Sequence, residues 1–165
     1  MSQNPSKTTG VVSVDPAREV VVTRTFDAPR ELVFEVWTNP RHVEQWWGPM
    51  GFTNPVCELD ARVDGLIRID MRAPNGTVYP MTGTYREIIQ PERIVFTSAA
   101  MDGNGNPIFT VVNTVTLTEK DGKTTLTLHA RVVDETADAA QYLKGMNMGW
   151  NQSLDRLDSY LKETR

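Results

Sequence analysis

Apolar residues recur along this chain with two alternating periods, and each period predicts an element. Glu19–Phe26 is a β-branched run, EVVVTRTF, and reads as a strand. Asp27-Ala-Pro29 breaks the run, and Pro29 is placed to open a helix. Leu32, Val33, Val36 and Trp37 then recur at helical spacing, which predicts a short helix over 30–38. Asn39-Pro40 stops that helix and starts another, which carries Val43, Trp46 and Trp47 and ends at Gly48-Pro49.

Runs with strand character follow, at Val56–Val63, Leu66–Arg72, Val78–Ile89, Arg93–Met101, Ile108–Thr118 and Lys123–Val133. Between them stand Asp64-Gly65, Asn75-Gly76, Pro91-Glu92, the segment 102–106 and Asp121-Gly122, which are turn signals at hairpin spacing. Consecutive strands joined in this way form an antiparallel meander. The chain closes with a helical stripe, Leu143, Met146, Trp150, Leu154, Leu157 and Leu161, predicting one long helix over about residues 136–163. Gly145 and Gly149 interrupt it at a cost of about 1 kcal/mol each relative to alanine. Ordinary packing, a close backbone approach or room for a ligand would offset that cost. Residues 1–16 are polar and small, so they read as a flexible tail before a single domain over 17–165.

Strand alternation assigns the faces. Ile67, Ile69 and Met71 share one face, as do Tyr79, Met81, Gly83 and Tyr85, Phe96 with Ser98, and Leu126, Leu128, Ala130 and Val132. Arg68, Asp70 and Arg72 take the other face, with Thr125, Thr127, His129 and Arg131. Residues 108–118 do not alternate cleanly. A curved sheet with one dry face must cover it, and only the striped helix is long enough. The predicted fold is α+β: a seven-stranded curved antiparallel sheet wrapped around a long C-terminal helix, with two short helices after the first strand. The inward set is nearly free of charge. It fits a small-molecule pocket and a solid core about equally well.

Composition narrows the chemistry. The net charge is −4, which does not favour a nucleic-acid partner, and no cationic segment suggests membrane anchoring. No stretch reads as a signal peptide or bilayer span, so a cytoplasmic setting is expected. One cysteine, Cys57, and two histidines, His42 and His129, leave few ligands for a transition metal and none for an internal disulfide. No cofactor is expected. His129 is placed outward and His42 on a polar helix, so both read as surface residues. Glu58 and Asp60 would be the acid–base candidates if they faced inward, but Cys57 and Leu59 compete for that side. Asp102, Asn104 and Asn106 begin like a calcium loop, yet Pro107 stands where glycine is needed and Asn113 where the bidentate glutamate is needed.

Several segments in order then carry a resemblance. Arg24-Thr-Phe-Asp-Ala-Pro29, Trp37, Trp46-Trp47-Gly-Pro49, Asp60-Ala-Arg62, Met71-Arg-Ala-Pro-Asn-Gly76, Gly83-Thr-Tyr-Arg-Glu-Ile88, Pro91-Glu-Arg-Ile94 and Met146-Asn-Met-Gly-Trp150 resemble the Activator of Hsp90 ATPase homologue 1-like family of the START/Bet v 1-like helix-grip superfamily. The likeness spans about 18–163. Asp64-Gly65 stands where that family usually has Gly-Gly. The resemblance implies a hydrophobic cavity between sheet and long helix, and no particular reaction. The candidate lining is Trp46, Trp47, Ile69, Met71, Tyr79, Met81, Tyr85, Phe96, Met146 and Trp150, with Tyr79 and Tyr85 orienting a small lipophilic ligand by hydrogen bonds. The alternatives are an enzyme of polyketide cyclase or hydrolase type and an interaction module for a chaperone. An exposed edge strand permits a homodimer as well as a monomer.

Overall fold

The computed structural model describes residues 18–101, 107–135 and 139–164, and for 134, 135 and 139–144 it describes the backbone only. The expected tail and the calcium-like segment 102–106 lie outside the described residues. In chain order the elements are β1 (Glu19–Phe26), α1 (Arg30–Thr38), α2 (Pro40–Trp46), β2 (Thr53–Leu59), β3 (Leu66–Arg72), β4 (Val78–Ile89), β5 (Arg93–Met101), β6 (Pro107–Lys120), β7 (Lys123–Glu135) and α3 (Ala139–Thr164). The strands form one sheet in the order β1-β7-β6-β5-β4-β3-β2, every neighbouring pair antiparallel. The meander is therefore as expected, and β1 closes it by pairing with β7. No helix among the described residues is long and apolar enough to cross a membrane.

The turns follow their sequence signals where the chain needs a left-handed pair. Asp121 and Gly122 have φ of 55° and 77°, and Lys120 pairs with Lys123 across them. This is the geometry of a two-residue hairpin whose twist matches its strands. Asp64-Gly65 behaves differently. β2 ends at Leu59, four residues before the expected Val63, because the chain folds back on itself at 60–65. There Arg62 N–H donates to Asp60 O at 2.8 Å, Gly65 N–H to Arg62 O at 2.8 Å, and Arg62 Nε to Asp60 Oδ2 at 2.9 Å. Val63 is left in solvent. At its other end β2 begins at Thr53, and Pro55, which has no N–H to give, sits at a register shift on this edge strand.

The ambiguous alternation of β6 resolves into Val111, Asn113, Val115 and Leu117 facing the core. The pairing slips between Thr110 and Val111, which leaves Val133 of β7 as the extra residue of a bulge. The pairing of β4 with β5 slips between Tyr85 and Glu87, and at Gly83 the backbone of β5 comes close. A Cβ there would lie 1.8 Å from the Thr97 carbonyl oxygen, so only glycine fits. Leu154, Leu157 and Leu161 of α3 are buried with Leu126 and Leu128 of β7, and α3 also packs along β1. One core results, held between the concave sheet face and α3 and closed at one end by α1 and α2.

Candidate functional site

The site begins where α2 stops. Trp47 caps that helix with an extended backbone, and Gly48, at φ 96°, turns the chain away. The carbonyls exposed by this stop are gathered by α3. Arg156 Nη1 donates to Trp47 O at 2.9 Å and to Gly48 O and Pro49 O at 3.0 Å, and Nη2 donates to Gln45 O at 3.1 Å. Burial pulls the guanidinium pKa down from its ordinary value. On the same helix Ser153 Oγ accepts from Gly48 N–H at 3.1 Å, and Gln152 Oε1 from Met50 N–H at 2.9 Å. From β2, Asn54 Nδ2 donates to Trp47 O at 2.9 Å and to Glu44 O at 3.1 Å. Residues 45–50 are thus bolted to α3 through backbone atoms.

This bolt fixes a cage of rings. Trp37 of α1 stands 4.8 Å from Trp46, 6.1 Å from Trp47 and 6.4 Å from Phe96 of β5. Trp150 of α3 stacks on Trp37 at 5.9 Å and meets Trp47 edge-on at 5.2 Å. The open hollow expected between sheet and helix is therefore filled. A void of about 10 Å³, no larger than a water molecule needs, lies between the sheet and the α1–α2 pair, with no α3 side chain on its wall. Four of the expected lining residues, Trp47, Ile69, Tyr85 and Phe96, border it. Trp37, Val43, Leu59, Ile67 and Ile94 border it too and were not among them. Their signal was present: Trp37 falls on the helical stripe of α1, and Leu59 and Ile67 alternate with inward neighbours. Trp46 is fully buried behind Trp37, with its indole Nε1 donating to Val36 O at 2.9 Å.

The remaining expected residues lie further along the sheet. Met81 is buried, and Met71 and Met146 are half-buried. Tyr79 shares their face, opposite Met71, but its ring is 49% exposed and lies beside Phe52. It stands beyond the cover of the helices. Polar atoms are scarce in this interior, and among the buried ones that lack partners are Trp37 Nε1, Asn54 Oδ1 and Oδ1 of the fully buried Asn113, whose Nδ2 donates to Ser98 Oγ at 2.9 Å.

Burial raises two titratable groups of the sheet. Burial pushes the Cys57 thiol up to about 12, with Glu44 and Glu58 adding to the effect, so no thiolate forms near neutrality. Burial, then Cys57 and Asp60, raises the Tyr85 phenol well above its ordinary range, so it stays protonated and has no use as a base. Glu58 and Asp60 are exposed. His129 faces outward as expected and pairs with Glu19 Oε1 at 2.6 Å. His42 is less free than its polar helix suggests. Its Nδ1 meets the Tyr160 hydroxyl at 2.5 Å and its Nε2 lies 3.3 Å from Glu35, so it ties α1, α2 and α3 together. Among the described residues no group of three metal-ligating side chains converges. A second depression of about 300 Å³, between Glu31 and Glu35 of α1 and Ile88 of β4, is open and mixed in polarity.

Comparison with known proteins agrees with this architecture. A family model described as Activator of Hsp90 ATPase homolog 1-like protein matches residues 27–162. A solution structure of a protein from Arthrobacter aurescens is 25% identical with a TM-score of 0.80, covering 94% of this chain and 93% of its own. A crystal structure of a protein from Chromobacterium violaceum is 27% identical with a TM-score of 0.75, covering 86% and 95%. The AHSA1 protein of Silicibacter pomeroyi, 24% identical with a TM-score of 0.77 and coverage of 89% and 99%, shares the fold. No curated protein gives a significant match.

Proposed function

Since the chain belongs to the Activator of Hsp90 ATPase homolog 1-like family, a family name that prescribes no reaction, we propose from its interior that it binds a small lipophilic molecule between the sheet and α3. The observation that carries this reading is the character of the walls. Every side chain bordering the void under α1 and α2, at one end of that interior, is apolar or aromatic, and none is charged. Ligand sites of this kind bury most of an apolar ligand and orient it with a few polar atoms. The void holds no such molecule as it stands, so binding requires the rings to part. What closes it is side chains rather than backbone. Trp47 and Trp150 meet edge-on, a contact worth about 0.5–1.5 kcal/mol. Swinging them breaks no strand pairing. Ile69, Met71, Met81 and Phe96 would form the sheet side of the opened site and Met146 the helix side. Trp46 backs it, and Tyr85 and the rim residue Tyr79 offer hydroxyls.

Titration with naphthalene, followed by tryptophan fluorescence and thermal melting, tests the reading. The expected result is saturable quenching and a melting temperature that rises with ligand concentration. Neither signal at the solubility limit of naphthalene overturns it.

A second reading, attachment to a chaperone, draws on the family description and on one surface feature. Met50 and Met148 are 54% and 64% exposed, and Met50 N–H is held by Gln152, one turn beyond Met148 on α3. Exposed methionines suit adaptable protein contacts. Pull-down of a purified cytosolic chaperone by the wild type but not by a Met50→Ser, Met148→Ser variant is its test.

A further inference from the structure

The chemical class of the proposed lipophile can be read from the polar atom that its compartment leaves unsatisfied, an inference that rests on the binding reading above. Trp37 is 4% exposed and borders the void. Its indole Nε1 is buried and has no acceptor. The neighbouring Trp46, equally buried, shows the usual outcome, with its Nε1 bonded to Val36 O at 2.9 Å. A buried donor left without an acceptor costs about 1–3 kcal/mol, and such groups are rare enough in native interiors to call for a reason. A bound oxygen would supply the missing acceptor.

The same walls limit what that oxygen belongs to. No lysine, arginine or histidine borders the void. Arg156, the cation that holds the chain around the lining residue Trp47, is committed to carbonyls of residues 45–49. A carboxylate brought into this space would be desolvated with no counter-ion, which is far more costly than burying a neutral carbonyl. We propose that the compartment selects neutral lipophiles that carry a hydrogen-bond-accepting oxygen on an apolar body, such as a ketone, ether or alcohol, with the oxygen taking the indole N–H of Trp37. Carboxylates of the same size and shape are rejected.

Three naphthalene probes of similar size separate the terms: 2-acetylnaphthalene, 2-ethylnaphthalene and 2-naphthoate at neutral pH. Each is titrated into the full-length, 15N-labelled protein, and the Kd is read together with the Trp37 indole resonance. The acetyl probe is expected to bind about tenfold tighter than the ethyl probe, the ratio one buried hydrogen bond yields, and to move the Trp37 indole proton downfield. Naphthoate is expected to bind at least tenfold more weakly than the acetyl probe. In Trp37→Phe the two neutral probes bind alike. Should that variant fail to fold, the wild-type resonance decides. Equal affinities for the two neutral probes, or a Trp37 resonance that stays put under saturating acetyl probe, overturn the head-group assignment and leave lipophile binding standing. Absence of binding by all three overturns both.

Discussion

Arg156 of α3 reaches the carbonyl oxygen of Trp47 at 2.9 Å, and from the same guanidinium it holds the carbonyls of Gln45, Gly48 and Pro49. Carbonyls at the end of a helix have no partner within the helix, and here a single side chain from a distant element supplies one. The planar fork suits the task, because its N–H groups point in fixed, divergent directions. Hydrogen bonds from a charged donor contribute about 1.5–3 kcal/mol, and the released carbonyls would be left partly buried. Arg156→Met is expected to lower stability by about 3 kcal/mol, or roughly 6–12 °C in Tm for a domain of this size. Arg156→Lys is expected to recover less than half, since one ammonium cannot span these acceptors. Urea denaturation of the three proteins is the check, and a lysine variant as stable as wild type would refute the clamp.

Trp150 occupies the space in which a ligand was expected. Its stacking on Trp37 joins α3 to α1, and its edge contact with Trp47 joins α3 to the clamped segment. Trp150→Ala removes both contacts, and a buried tryptophan cut to alanine costs about 3–5 kcal/mol. It also opens an apolar cavity beside the void. Naphthalene is therefore expected to raise the Tm of Trp150→Ala by more than it raises that of the wild type. Melting curves with and without naphthalene decide. A variant that loses stability and gains no affinity would show the ring to be packing alone.

The glycines separate into two kinds that the chain itself does not distinguish. A Cβ on Gly83 would meet the Thr97 carbonyl at 1.8 Å, whereas one on Gly145 has no described atom within 4 Å and one on Gly149 would touch only Pro49 at 3.8 Å. Neither helical glycine needs its freedom for a close approach. Gly145→Ala is expected to stabilise by about 0.5–1 kcal/mol through helix propensity. Gly83→Ala is expected to destabilise by about 3 kcal/mol or more, because backbone has to move to accept the methyl. Opposite shifts in the urea midpoint confirm the distinction, and a neutral Gly83→Ala would contradict the close approach of the Thr97 carbonyl to β4.

How far the chain discloses this structure depends on what a pattern can encode. Period and turn chemistry place the strands, as Asp121-Gly122 does for β6 and β7. They fail at Asp64-Gly65, where an Asp60–Arg62 contact turns an apparent two-residue hairpin into a longer loop. Alternation gives the face of Tyr79 but not the point along β4 at which cover by the helices ends. It also cannot show whether four tryptophans and a phenylalanine leave a hollow or fill it, because that depends on ring orientations. Arg156 reads as one more solvated charge on the polar side of a helix. Its partners are backbone carbonyls, which leave no mark in a sequence. The unpartnered Trp37 is visible only once Trp46 is seen to have taken the Val36 carbonyl.

Alkaline pH offers a test of the interior that does not depend on any ligand. The Cys57 thiol is pushed up to about 12 from an ordinary value of 9.0, first by burial and then by the carboxylates of Glu44 and Glu58. Tyr85 is raised as well, by burial first. Both groups are neutral when protonated, so the folded state holds protons that the unfolded chain gives up. Above the unfolded value the unfolded state binds fewer protons than the native one, and stability falls as pH rises. The contribution of Cys57 is therefore complete below about pH 9 and is lost between there and about 12. Cys57→Ala removes this group, and Tyr85 begins to act only at higher pH because its unfolded value is 10.0. Urea midpoints measured from neutral pH upward are expected to fall more steeply for the wild type than for Cys57→Ala once pH passes about 9. Parallel curves would mean that the thiol meets water freely and that the strand bearing it does not face the core.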